Sequence, residues 1–503
     1  MILHKLHRRF GRSARGAALG AALAACGFAG NAGAHGGNPR AYNILFDPMD
    51  PNNAYLHLDF WGSFYSTDAK KTWSYGCSEL WGVHSTDTVP TNQVLNGGRL
   101  LVAAGFQGLL VTEDHCTWTR FAALKGQVPD VEMTKQGTLV ALTVSNEDGG
   151  ETTNGGVYQS TDNGDTWKAL GSSLPHDFSG VSVAVAPSDP TRIYVSGAVI
   201  SGSAIVFERS SDTGATWTRT VIDVPNLDPN TFWDPRIRLV QPTNPDVIFL
   251  WIDGEEGLGT YYSDQIWLST DGGQHFASFF LGTGDLPGFA LSPDGTTLAI
   301  SGPGSPDPTT GLTNPDGLNT ASFTDALAHG QSAFQKVYDQ QVWGLNWTAS
   351  GLYAGNNDFT NGGIPEPFTF GVSQDGGHSF KKIMNLCEVK FPTCPASSTA
   401  NVCVTPVDSQ STGQGGYQYD FIGSDRCTNP PPSARGDGGG VPTGGTPHPD
   451  AGSAPTPPAG GGGSSKSSGC AVSTPGSSLG TGWLAAFGLG MVGLFALRSR
   501  RRR

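Results

Sequence analysis

The sequence predicts an all-β fold: a single seven-bladed β-propeller of four-stranded blades, followed by a disordered linker and a C-terminal apolar helix. Three observations predict it. One eight-residue motif recurs at near-even spacing through the middle of the chain. A second repeat, a tight turn followed by an apolar strand, runs in phase with it. The composition is rich in turn formers and poor in charge, with 71 glycines, 34 prolines and 15% charged residues among 503. That balance favours sheet over helix, and the length suits a repeat architecture with tails better than one ordinary core.

The first motif reads Ser66, Asp68, Thr72, Trp73, and recurs one residue shorter as Thr112, Asp114, Thr117, Trp118. Full copies follow at Ser160, Asp162, Gly164, Thr166, Trp167 and at Ser210, Asp212, Gly214, Thr216, Trp217. Two variants end in phenylalanine: Ser269, Asp271, Gly273, Phe276 and Ser373, Asp375, Gly377, Phe380. The gap between these two is double the usual one, and a degenerate copy near Ser322 to Phe334 is expected to fill it. Seven units of roughly 50 residues result, the period of a four-stranded blade. The second repeat is Asp50-Pro51 before Tyr55, Asp189-Pro190 before Tyr194, and Asn244-Pro245 before Phe249. A looser copy has Ser292-Pro293 before Leu298, and glycine turns precede Leu100, Leu139 and Leu352.

The chemistry of the motif is structural. An aspartate accepts backbone N–H bonds across a tight turn, and glycine supplies positive φ. The terminal aromatic residue packs against the sheet. The motif resembles the Asp-box, or BNR repeat, of sialidases, sortilin-type receptors, xyloglucan-cleaving glycoside hydrolases and photosystem assembly factors. The resemblance covers about residues 41 to 384. It implies the propeller, and it implies that Asp68, Asp114, Asp162, Asp212, Asp271 and Asp375 shape turns. It does not imply an activity.

The ends read as addresses. A basic run to Arg15, a short apolar run and Ala32-Gly33-Ala34 form a signal peptide over residues 1–34. Leu23-Ala24-Ala25-Cys26 resembles a lipoprotein processing box, a competing reading in which Cys26 carries lipid. At the other end, residues 430–469 form a Pro/Gly/Ser-rich linker. Residues 470–503 then hold Cys470, an apolar helix over 483–497 and terminal arginines. This order resembles the MYXO-CTERM sorting tails of bacterial surface proteins, with Cys470 as the processing or lipidation residue. A plain membrane anchor is the simpler alternative, although the helix is short of the about 20 residues a bilayer needs. Either way the chain is expected to be exported, at a bacterial cell surface or outer envelope, and held to the membrane by its tail.

The net charge is −13, and removing the ten basic residues at the two ends leaves a body near −23. An acidic body excludes nucleic acid as the expected partner. Cys77, Cys116, Cys387, Cys394, Cys403 and Cys427 remain in the exported body, an even number in an oxidising compartment, so disulfides are expected. A bridge between Cys77 and Cys116 would join neighbouring blades. The other four fall in a cysteine-rich extension, residues 385–429, with three connectivities open.

Topology assigns the ligand face. In a four-stranded meander the first and third turns share one side, while the second loop and the interblade connector share the other. The aspartate turns are third turns, so the opposite face carries the variable loops. That face would bring together Asp130, Trp233, Asp234, Arg236, Asp253, Glu255, Asp285 and Trp343. Carboxylates and tryptophans around a channel mouth suit a sugar, a peptide or Ca²⁺ in the acidic loops; a simply solvated acidic rim is the plainer reading. No catalytic residue, metal ligand or cofactor stands out otherwise. Sialidases resembling this repeat carry an Arg-Ile-Pro motif and an arginine triad; the nearest string here is Arg236-Ile237-Arg238. The expectation is therefore a non-catalytic, monomeric surface propeller binding an extracellular protein or glycan, with a sialidase-like or other propeller glycoside hydrolase as the alternative.

Overall fold

The computed structural model describes residues 41–403 except 59–61, 82–91, 106, 122–123, 125, 145–154, 201–203, 226–232, 255–263, 307–312 and 357–367. The signal, linker and sorting-tail readings, with Cys26, Cys427, Cys470 and helix 483–497, lie outside the described residues, as does Glu255. Among the described residues no helix is long and apolar enough to cross a membrane.

Seven antiparallel meanders stand around a central channel. Their inner strands are Ala41–Phe46, Asn92–Asn96, Gln127–Met133, Phe178–Val185, Trp233–Val240, Gly288–Leu291 and Gly344–Thr348. Each pairs outward with the next three long strands in sequence, so every blade is one contiguous segment. The seventh ends at Met384. The middle strands are buried on both faces because each blade is sandwiched between two others. Leu139–Val144 in blade 3 is buried at every position, the pattern of a sheet covered on both sides. Outer strands meet water: Thr218–Ile222 buries only Ile222. The apolar cores therefore lie between blades. Blades 4 and 5 share Tyr194, Phe207, Ile248 and Ile252, and blades 6 and 7 share Ala299, Leu318, Leu345 and Ala354.

The repeated turn is an interblade joint as well as a local one. In blade 3, Asp162 Oδ1 accepts the Thr166 N–H at 2.9 Å and Oδ2 accepts the Thr166 hydroxyl. Ser160 Oγ accepts the Gly164 N–H at 2.8 Å. Asn163 and Gly164 both have positive φ, the region glycine tolerates best. A Cβ on Gly164 would stand 2.8 Å from Leu101 of blade 2, and one on Gly273 would stand 2.4 Å from Phe207 of blade 4. The terminal aromatic residues point the same way. Trp73 meets Phe370 of blade 7 edge-on at 5.5 Å, Phe276 meets Phe207 of blade 4 at 4.9 Å, and Phe380 meets Tyr338 of blade 6 at 5.1 Å. Trp118 approaches Trp81, and Trp167 approaches Phe121. Trp217 Nε1 donates to the Ser172 carbonyl. Each turn thus leans on the preceding blade or the connector leading from it, rather than on its own sheet alone.

Two expectations need correction. Blade 6 is present, but its third turn is not a degenerate copy of the motif. Ser322 instead caps a short helix, Phe323–His329, by accepting the Asp325 N–H at 3.1 Å. A 3₁₀ turn, Gly330–Ala333, leads on to the outer strand Gln335–Tyr338. Phe334 packs on Phe279 and Phe280 of blade 5. A Ser-x-x-Asp start satisfies free helix N–H groups, and the long segment buries its aromatic residue by helix rather than by tight turn. The cysteines also pair differently. Cys77 is bonded to Cys403 and Cys116 to Cys394, so no bridge joins Cys77 to Cys116. The extension runs back along blades 1 and 2 and brings its own thiols to both. Cys387 is disulfide-bonded too, with a partner outside the described residues.

Candidate functional site

The channel wall is made of seven inner strands, each with one edge lacking a neighbour in its own sheet. Those edges present backbone groups that need partners. Polar side chains at alternate positions supply them across the seams. Asn346 Nδ2 donates to the Ile44 carbonyl at 2.7 Å, and Asn43 Nδ2 reaches Gln93 at 3.4 Å. Ser182 Oγ accepts the Ile237 N–H at 3.3 Å. Asp130 and Glu132, two residues apart on one side of the blade 3 strand, do the same for blade 4. Asp130 Oδ2 accepts the Val183 N–H at 2.7 Å, and Glu132 Oε1 accepts the Val185 N–H at 3.2 Å.

These two carboxyl groups differ in environment. Asp130 is 2% exposed. Glu132 is half-buried, yet crowding by protein pushes its carboxyl up to about 8, with the Val185 N–H opposing the shift and the neighbouring Asp130 charge adding to it. Glu132 therefore holds its proton at neutral pH. Two blades on, beyond blade 4, blade 5 offers Asp234, Arg236 and Arg238. Asp234 and Arg236 form an ion pair along one strand. The Arg238 guanidinium lies 3.9 Å from the Trp251 ring centroid, a cation–π contact. The buried His57 imidazole is pulled down to about 3, by burial first and by the Arg236 charge second, which places that arginine within electrostatic reach of blade 1.

The other sequence candidates are spread around the rim. Asp253 is the cross-strand neighbour of Asp234, and Trp233 faces Gly254 in the same register; the side chains of Trp233 and Asp253 lie outside the described set. Asp285 is half-buried on the connector into blade 6. Asp264 pins that connector: its Oδ2 accepts the Leu286 N–H at 2.6 Å and the Trp251 indole N–H at 2.9 Å. Trp343 is 5% exposed, with its ring 5.5 Å from Tyr42 of blade 1. The structure thus gathers Asp234 and Arg236 on one strand, sets Asp130 two blades away, and buries Trp343 in a blade seam. Sequence reading passed over Glu132, Arg238 and His57. The first two lie at alternate positions with Asp130 and Arg236 in the inner strands Gln127–Met133 and Trp233–Val240, where the sequence reading expected interblade connectors. Among the described residues no three His, Cys, Asp or Glu side chains gather as a metal ion would need.

The aspartate-turn face is knitted shut by comparison. Asp47 accepts the N–H groups of Met49, Gly97 and Gly98 and the Asn53 amide, linking blades 1 and 2. Burial would raise its carboxyl, but these bonds hold it below the usual range. Arg99 bonds to Asp165 at 2.7 Å, and Arg192 pairs with Asp246, each across a seam.

Fold and site together define a seven-bladed propeller whose channel is lined with paired polar groups. No protein-family model matches the chain, and no curated protein is similar to it. Among solved structures it is similar to a Niastella koreensis GH74 enzyme (14% identity, TM-score 0.37, covering 69% of this chain and 45% of that one). It is also similar to the GH74 xyloglucanase of Xanthomonas campestris (12% identity, TM-score 0.29, covering 68% and 64%) and to YCF48 from Cyanidioschyzon merolae (15% identity, TM-score 0.31, covering 53% and 93%). The chain spans less than two thirds of the length of these glycoside hydrolases. At such scores the likeness carries no argument about activity, and the propeller assignment stands on the strand pairing.

Proposed function

We propose that this chain is a non-catalytic Asp-box propeller, exported and held at the cell surface by its tail, that binds a protein or glycan ligand on the face opposite the Asp-boxes. The observation that supports it is the engagement of the candidate carboxylates: Asp130 holds a neighbouring strand edge and Asp234 holds Arg236. Groups tied in this way shape a surface rather than attack a substrate. Two disulfides suit an oxidising compartment, consistent with export. Ca²⁺ in the acidic loops, a monomeric state and the absence of nucleic-acid partners belong to the same proposal.

One observation favours a second reading, a propeller glycoside hydrolase. Glu132 retains its proton beside Asp130 in the channel wall, and a protonated carboxyl next to a second carboxyl is the requirement for acid-assisted glycoside cleavage. The full-length chain should be tested on a glycan array and on fluorogenic glycosides. Binding without turnover supports the first reading. Turnover that is lost in Glu132→Gln, with the fold intact, replaces it with the second.

A further inference from the structure

We propose that residues 386–403 are the latch of the ring, and that its disulfides to Cys77 and Cys116 make closure of the seam between blades 7 and 1 sensitive to thiol reductants. The reasoning starts from chain connectivity. The four meander strands of every blade are contiguous, so the ring is not closed by a blade whose own four strands come from both ends of the propeller. The hydrogen bonds that cross the other seams join residues about 50 positions apart, as with Asp130 and Val183 or Ser182 and Ile237. The seam between blades 7 and 1 joins Asn346 to Ile44, 302 positions apart. Opening it frees the two ends of the propeller, and the entropy released grows with the length of chain let go. It is therefore the seam at which the ring parts first unless something else spans it.

The extension spans it. Leaving blade 7 after Met384, the chain makes a 3₁₀ turn, Leu386–Glu388, fixed to its own blade by the Lys382–Glu388 ion pair. Val389–Lys390 then joins the outer edge of blade 1 as a fifth strand, parallel to Trp73 and Ser74. Beyond it Cys394 is bonded to Cys116 in the third turn of blade 2. The last 3₁₀ turn, Thr399–Cys403, returns to both blades. Ala400 N–H and the Thr399 hydroxyl donate to the Cys116 carbonyl, Thr399 Oγ1 accepts the Trp118 N–H, and Cys403 closes onto Cys77. Leu386, Val389, Ala400 and Cys403 are buried in one core with Phe370 and Met384 of blade 7, Trp73 and Tyr75 of blade 1, and Trp118 of blade 2. One apolar cluster thus contains the last blade, the first, the second and the segment that ties them.

Reduction by a dithiol delivers two electrons and two protons to each S–S bond. Two cysteine thiols form, and the reductant leaves as its own disulfide. The latch then holds by packing and the short parallel pairing alone. The test is hydrogen–deuterium exchange on the full-length chain, read separately for each inner strand, before and after treatment with dithiothreitol and alkylation. The latch predicts at least tenfold faster exchange in Ala41–Phe46 and Gly344–Thr348, with Phe178–Val185 and Trp233–Val240 unchanged. Equal acceleration in all four strands, or none, overturns it. The variants Cys77→Ser/Cys403→Ser and Cys116→Ser/Cys394→Ser should give the same pattern. Should either fail to fold, the reduced and alkylated native protein still decides the outcome.

Discussion

At the scale of single residues, two kinds of glycine look alike in sequence and differ in place. Gly137 and Gly273 both adopt positive φ, near 79° and 82°. A Cβ on Gly137 would meet nothing within 4 Å, whereas on Gly273 it would meet Phe207 at 2.4 Å. Gly137→Ala should therefore cost about 1 kcal/mol, the backbone share alone. Gly273→Ala should cost about 2–4 kcal/mol, because overpacking against blade 4 adds to it. Urea unfolding of the two variants measures the difference; equal losses would mean that the turn does not bear on its neighbour. Glu132 makes a prediction of opposite sign. Its folded-state carboxyl sits near 8, above its ordinary value of 4.5, so the folded chain binds the extra proton and stability declines as pH rises between those values. Glu132→Gln keeps a neutral side chain at all pH values. It should match the parent at pH 4 and exceed it in melting temperature at pH 8.5.

At the scale of the element, the inner strand is where fold and site meet. Asp130→Ala leaves the Val183 N–H without its acceptor and should cost about 1–3 kcal/mol, read by chemical unfolding. Much of this scale was legible beforehand. The Ser-x-Asp turns and the Pro-turns set the period, and the period sets which strand is innermost and which face each loop takes. Three things escaped. Ser322 and Asp325 form a helix start that looks like a worn copy of the turn, because in both a serine hydroxyl accepts a backbone N–H and donates to a nearby aspartate. Glu132 was visible as the alternate partner of Asp130, but its proton depends on how closely blade 4 approaches. Cysteine pairing depends on where the extension crosses the outer rim, and no local pattern near Cys77 or Cys116 records that path.

At the scale of the molecule, the turns act together on acid stability. Asp68, Asp162, Asp212, Asp271 and Asp375 are each held down to about 2. The leading cause is the Thr72 N–H for Asp68 and the threonine hydroxyl for Asp162 and Asp212; for Asp271 and Asp375 burial pulls the other way and hydrogen bonds outweigh it. A depressed folded-state value gives stability that is full above the unfolded value of 3.8 and lost as pH falls through the folded one. Thermal unfolding should therefore vary little with these groups above pH 5 and drop steeply between about pH 4 and pH 2. A chain with two of the five changed to asparagine should start lower and fall less. The same steepness in that variant would remove the turns as the cause. The ring also depends on its clasp. For the Cys77–Cys403 bridge, whose cysteines are 326 positions apart, chain entropy alone corresponds to about 6 kcal/mol.

The route by which the chain leaves the propeller also decides how it carries force. Tension arriving at Cys403 enters through a covalent bond to Cys77, at the end of the first blade. It does not reach the outer strand Lys381–Met384, which would otherwise unzip one hydrogen bond at a time. Blade 7 is thus shielded from peeling by the segment that follows it. A load arriving at Cys403 can therefore pull on the propeller while the blades around its channel keep their shape.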